Sequence, residues 1–218
     1  MASSFYEFPS KLREKITEIY HNTIGWFIST LFKRPSSLLF LGIDNAGKTT
    51  LVNKLKNNTN EIFLPTKHAT RDIVEIGNLK AQVVDLGGHE AARVAWKDYF
   101  YNVDGVVFIV DVEDSTRYEE VSQAWKAVLD LERESPILVL MNKIDLLGYT
   151  SESIELDTAF RLDIENKTGV GRMRNPGQPV HVRFLSIISH DIYTENTPLR
   201  EGFSWLSKVI NGRERRAL

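Results

Sequence analysis

The run Gly42-Ile43-Asp44-Asn45-Ala46-Gly47-Lys48-Thr49 carries the spacing G-x-x-x-x-G-K-[ST], between an apolar strand-like stretch and a helical one. Glycines let a backbone curl until successive N–H groups converge on one anion. A helix opening at Lys48 adds the positive end of its dipole. Lys48 then offers a point charge to the outer phosphates of a nucleotide, and the Thr49 hydroxyl suits Mg²⁺. Asp44, Asn45, Ala46, Gly47, Lys48, Thr49 and Thr50 are the expected phosphate-binding set. Asp44 is the odd member, because a carboxylate repels phosphate. It is expected either to turn away or to share the water shell of the metal.

Two further clusters follow in chain order. Asp85-Leu86-Gly87-Gly88 ends a strand-like run. An acidic residue there suits the metal side of a phosphate site, and Gly88 can present its N–H to a γ-phosphate without a side-chain clash. Asp111 also ends an apolar strand, but no glycines follow it, so it ranks below Asp85 for the metal. His89 is placed to orient an attacking water; the plainer alternative is a surface histidine at a helix start. Asn142-Lys143-Ile144-Asp145 is N-K-x-D after an apolar run. The Asp145 carboxylate can accept two N–H bonds from the guanine edge, which adenine cannot supply, and an unpaired carboxylate is costly. The Lys143 stem can pack over the base, and Ser186, Ile187 and Ile188 are ordered to close its other side. The remaining histidines, His21, His68, His181 and His190, have no such context and read as surface or core residues.

These groups need a scaffold. The runs at Leu38–Leu41, Gly105–Asp111, Ile137–Met141 and Val180–Ile187 read as strands alternating with helices such as Lys48–Lys56 and the closing Gly202–Ile210. Arg71–Ile76 and Lys80–Leu86 flank Gly77-Asn78 and read as a hairpin. The expectation is an α/β fold: a doubly wound, mostly parallel six-stranded sheet covered on both faces, with one antiparallel edge strand. Pro35, Ser36 and Ser37 mark a boundary between a helical segment, residues 1–34, and a nucleotide-binding core, residues 37–211; a basic tail, 212–218, follows. Residues 169–178, rich in Gly, Arg, Asn and Pro, read as a surface loop.

Composition narrows the classes. The 218 residues are 42% hydrophobic and 26% charged, ordinary for a globular chain. A net charge of −2 carries no sign of a nucleic-acid partner. With no cysteine there is no disulfide and no thiol nucleophile. No secretory leader is visible, and Ala2 stands where a myristoylation signal needs glycine.

Taken together, GIDNAGKTT, DLGGHE and NKID resemble the Arf/Sar branch of the Ras-like GTPases, and the likeness is closer to Sar than to Arf. His89 stands where Arf proteins carry glutamine; Leu64–Thr70 resembles the Sar first switch; Thr168–Gly171 is similar to a late Sar insertion; Glu201–Ser207 resembles the Sar closing helix. The resemblance implies a P-loop switch that binds GTP or GDP with Mg²⁺, hydrolyses GTP slowly and initiates the COPII coat for transport from the endoplasmic reticulum to the Golgi. By the same resemblance Thr66 completes the metal's coordination, with Thr49 and Asp85, and His89 addresses the water. An inner-coat activating complex supplies an arginine in trans, and an exchange factor resides in the reticulum membrane. The implied place is cytoplasmic, reversibly on the cytosolic face of that membrane, with the Golgi as a further station. An Arf-like GTPase of another trafficking pathway and a GTP-binding module that does not turn over are the alternatives. The chain departs from the pattern in a longer N-terminal segment, in Leu185-Ser186-Ile187 for C-S-V, and in its Arg213-Glu214-Arg215-Arg216 ending.

In the N-terminal segment Leu12, Ile16, Ile19, Tyr20, Thr23, Ile24, Phe27, Ile28 and Leu31 recur at three- and four-residue steps. Such a stripe either lies in a membrane interface or packs on the core. The resemblance adds that both can be true in turn: docked with GDP, expelled with GTP as the hairpin shifts.

Overall fold

The computed structural model describes residues 28–33, 35–57, 72–76, 79–83, 99–100, 103–172 and 174–213. Six strands form one sheet in the order β2-β3-β1-β4-β5-β6. They are β1 (Ser36–Leu41), β2 (Asp72–Ile76), β3 (Leu79–Val83), β4 (Gly105–Asp111), β5 (Ile137–Asn142) and β6 (Val180–Phe184). Every pairing is parallel except β2 with β3, which closes the expected hairpin at one edge. The helices are α1 (Lys48–Asn57), α2 (Tyr118–Leu131), α3 (Ser151–Leu156), α4 (Thr158–Lys167) and α5 (Pro198–Arg213).

Strands β4 and β5 are buried along their whole length, which is why they read as unbroken apolar runs. One face of the sheet packs Leu38, Phe40, Val107 and Leu140 against α1 and α5 residues such as Leu51, Leu55, Phe203 and Leu206. The other packs Leu39, Phe108 and Val139 against Val121, Trp125 and Val128 of α2 and Ile164 of α4. Phe108 and Trp125 meet with ring centroids 5.2 Å apart.

Several boundaries differ from the sequence reading, three elements most clearly. Ser36 and Ser37 belong to β1 and do not form a linker; the buried Ser36 is 2% exposed. Strand β6 stops at Phe184 rather than Ile187, because the Ile187 N–H donates to a side chain, Asn142 Oδ1, and leaves the ladder. Helix α5 starts at Pro198 and runs to Arg213, into the residues read as tail. Thr197 Oγ1 accepts from Arg200 N–H, and proline suits the first helical position.

Residues 28–31 are helical, and Ile28 and Phe32 are fully buried in the first of the two clusters. Asn211 of α5 donates to the Leu31 carbonyl at 3.1 Å. The described end of the N-terminal stripe therefore packs on the core; residues 1–27 lie outside the described residues.

Candidate functional site

A parallel sheet delivers loops at the carboxyl ends of its strands, and β1, β4, β5 and β6 each deliver one here. The loop after β1 needs its glycines for stated reasons. Gly42 has φ +152, and a Cβ there would come 2.3 Å from the Ile109 carbonyl oxygen of β4. Gly47 has φ +108, and its Cβ would meet Asn142 Nδ2 at 2.6 Å. Asn45 between them also takes a left-handed conformation, with φ 61. The chain thus curls over the end of β4 and turns into α1 at Lys48.

Lys48 is 6% exposed and donates to the Gly42 and Ile43 carbonyls at 2.9 and 2.7 Å. Its charge is held inside the loop's curl. Thr49 and Thr50, half-buried, begin the helix.

Asp44 is half-exposed and paired with Arg117, whose guanidinium also binds Glu120 at 2.7 Å. That hydrogen bond holds the Asp44 carboxyl below the usual carboxylate range. The Asp44 carboxylate thus carries a counter-charge. The pair removes the repulsion a bare acid would exert on phosphate. Arg117→Ala should therefore weaken nucleotide binding about tenfold, within the ~1–4 kcal/mol that a freed like charge costs near a surface. Asp44→Asn should restore affinity in that background. Titration calorimetry of the two single variants and the double variant checks this; equal weakening with and without Asp44→Asn would dismiss the charge argument.

Asn142, 4% exposed at the end of β5, holds the two halves together. Its Nδ2 donates to the Ala46 carbonyl at 2.9 Å, and its Oδ1 accepts from Ile187 N–H at 2.9 Å. One amide thus joins the phosphate loop to the loop after β6. Lys143 follows with φ 72, and its Nζ reaches buried Asp111 at 2.6 Å. Asp111, the weaker candidate for the metal, is occupied as that partner. Asp145 sits exposed in the next turn, Ile144–Leu147.

Ser186 is buried, Ile187 is 1% exposed and Ile188 is 47% exposed. Lys54 of α1, almost fully buried, donates to the carbonyls of Ile187 and Ile188 at 2.7 and 2.8 Å. Burial lowers its pKa, and Asp191 partly offsets this. His190 contacts the same loop through Ser186 N–H and reaches Ser151.

Asp44–Thr50, Asn142, Lys143, Asp145 and Ser186–Ile188 are thus brought to one end of the sheet. Thr66, Asp85, Gly88 and His89 lie outside the described residues. Among the described residues no cluster of three His, Cys, Asp or Glu could hold a metal ion. Sequence reasoning missed Lys54, Arg117 and His190.

Known proteins resemble this chain in sequence and fold. The profile of the ADP-ribosylation factor family matches residues 25–210. The Small COPII coat GTPase SAR1 of Encephalitozoon cuniculi (strain GB-M1) is 47% identical over 212 residues, 96% of either chain. Its namesake from Nicotiana tabacum is 40% identical over 200 residues, 86% of this chain and 98% of that one. A crystal structure of the Encephalitozoon cuniculi protein in complex with GDP superposes with a TM-score of 0.79 at 47% identity, covering 95% of this chain and 94% of that one. The chain belongs to the ADP-ribosylation factor family and, within it, to the Sar-type small GTPases.

Proposed function

We propose that this Sar-type small GTPase binds GTP and GDP together with Mg²⁺, hydrolyses GTP slowly, and in its GTP form initiates a COPII coat on the cytosolic face of the endoplasmic reticulum. The observation that carries the nucleotide reading is the Asn142 amide, which spans Ala46 and Ile187 and so sets a phosphate loop and a base loop at a fixed separation. The buried Lys48 within its glycine curl suits the phosphates of such a ligand.

In this reading Ala46, Gly47, Lys48 and Thr50 hold phosphate, and Asp145, Lys143 and Ser186–Ile188 hold guanine. Mg²⁺, when bound, neutralises developing charge on the phosphates and would be held by Thr49 and Thr66 with Asp85 beside it. Gly88 senses the γ-phosphate and His89 orients the water. The sheet and its helices, residues 36–213, serve as the GTPase unit. Residues 1–34 serve as a segment released to the membrane with GTP, supported by the apolar stripe and by the coat named in the relatives' descriptions. No helix among the described residues is long and apolar enough to cross a membrane. The partners are an inner-coat activating complex and a membrane-bound exchange factor.

Phosphate release tests the chemistry. His89→Gly should slow stimulated hydrolysis by about 10²-fold, the ordinary contribution of a positioned proton-handling group, with GTP affinity unchanged. An unchanged rate would remove His89 from the mechanism. Liposome co-sedimentation tests the switch: the full chain should bind with a non-hydrolysable GTP analogue and not with GDP. Binding indifferent to nucleotide would leave a GTPase without a membrane switch.

A further inference from the structure

We propose that His190 is a positioning residue for the guanine pocket: its imidazole clasps the loop carrying Ser186 to the start of α3, and so to the turn carrying Asp145. The inference rests on the nucleotide reading above. Nδ1 of His190 accepts from the Ser186 N–H at 3.1 Å, and Nε2 meets Ser151 Oγ at 2.5 Å. Ser151 opens α3 six residues after Asp145, and Gly148 and Tyr149 between them fold back on Asp145 and Ile144 through backbone bonds of 3.0 and 3.1 Å. The two walls offered to the base are therefore joined across one ring.

The His190 backbone reinforces the Ser186 side. Its N–H donates to the Ser186 carbonyl at 2.9 Å, and Ser189 N–H donates to Ser186 Oγ at 3.2 Å. This closes a tight turn with the imidazole folded beneath its own loop.

The contacts also define a protonation state. A nitrogen that accepts from a backbone N–H carries no proton, so the ring is neutral with its proton on Nε2. Protonating Nδ1 would place a donor against the Ser186 N–H and open the clasp. Burial lowers the His190 pKa, and Lys54 of α1 pushes the same way; Glu152 of α3 and Asp145 pull against them. Asp191, next in the chain, offsets the Lys54 charge. The clasp is therefore intact at neutral pH and is lost as pH falls through a value below the ordinary histidine range.

The test is the dissociation rate of a fluorescent GDP from the full chain with Mg²⁺, across about pH 5.5 to 8. His190→Ala should speed release about tenfold at neutral pH. His190→Asn places an amide oxygen near the Nδ1 position and should recover part of that loss, and Ser151→Ala should show an intermediate effect. Wild type should release GDP faster as pH falls, whereas His190→Asn, with nothing to titrate there, should give a flatter profile. Wild-type release rates in His190→Ala, or the same pH slope in His190→Asn as in wild type, would overturn the proposal. If the wild-type chain binds no guanine nucleotide, the nucleotide reading itself fails.

Discussion

Gly47→Ala should abolish tight guanine-nucleotide binding, with a loss on the order of 10³- to 10⁴-fold. Two costs combine. At φ +108 any side chain is strained. The new Cβ would also stand 2.6 Å from Asn142 Nδ2 and 3.5 Å from Ile187 Cδ1. Asn142 cannot yield without surrendering the Ala46 carbonyl or the Ile187 N–H. Leaving a buried polar group unpaired costs about 1–3 kcal/mol each. With the backbone strain the sum reaches roughly 4–6 kcal/mol, which is the stated loss in affinity. GDP affinity by calorimetry, with a melting curve to show that the variant folds, checks it. Affinity within threefold of wild type would mean that Asn142 does not set the loop's position.

Phe32→Ala should cost the GDP-bound chain about 3–5 kcal/mol of stability. Phe32 is fully buried in the cluster that also holds Ile28, Leu38, Phe203 and Ile210, and the substitution empties a ring's volume from that cluster. Leu156, 85% exposed, is the control, and its change to alanine should stay within about 0.5 kcal/mol. Urea unfolding with unchanged slope compares them. A Phe32→Ala midpoint near that of the Leu156 variant would show that the residues before β1 add nothing to the core.

Local rules made much of the site readable. Gly42, Gly47 and Lys48 announce themselves because backbone geometry and charge leave few other residue types at that spacing. Strands β4 and β5 were legible as apolar runs because both their faces are covered. Lys54 was not legible. It reads as one more polar residue of a helix until folding brings it to the Ile187 and Ile188 carbonyls, the first of them 133 positions away. Arg117 lies 73 positions from Asp44, and His190 lies 39 from Ser151. Such pairings depend on which strand neighbours which, and no short pattern encodes that. The end of β6 was misjudged for the same reason, since the group that draws Ile187 from the ladder is a side chain of β5. The early start of α5 was a different omission: Thr197-Pro198 is a local signal that was there to be read.

The Asn142 amide has a consequence for the kinetics of release. Because one planar group is donor to Ala46 and acceptor from Ile187, a shift of either loop pulls on the other. Lys54 adds a second tie from the helix that follows the phosphate loop. A ligand held by both loops is therefore expected to feel the opening of either one. If the nucleotide sits as proposed, its release is expected to follow one relaxation time, with the two loops opening together.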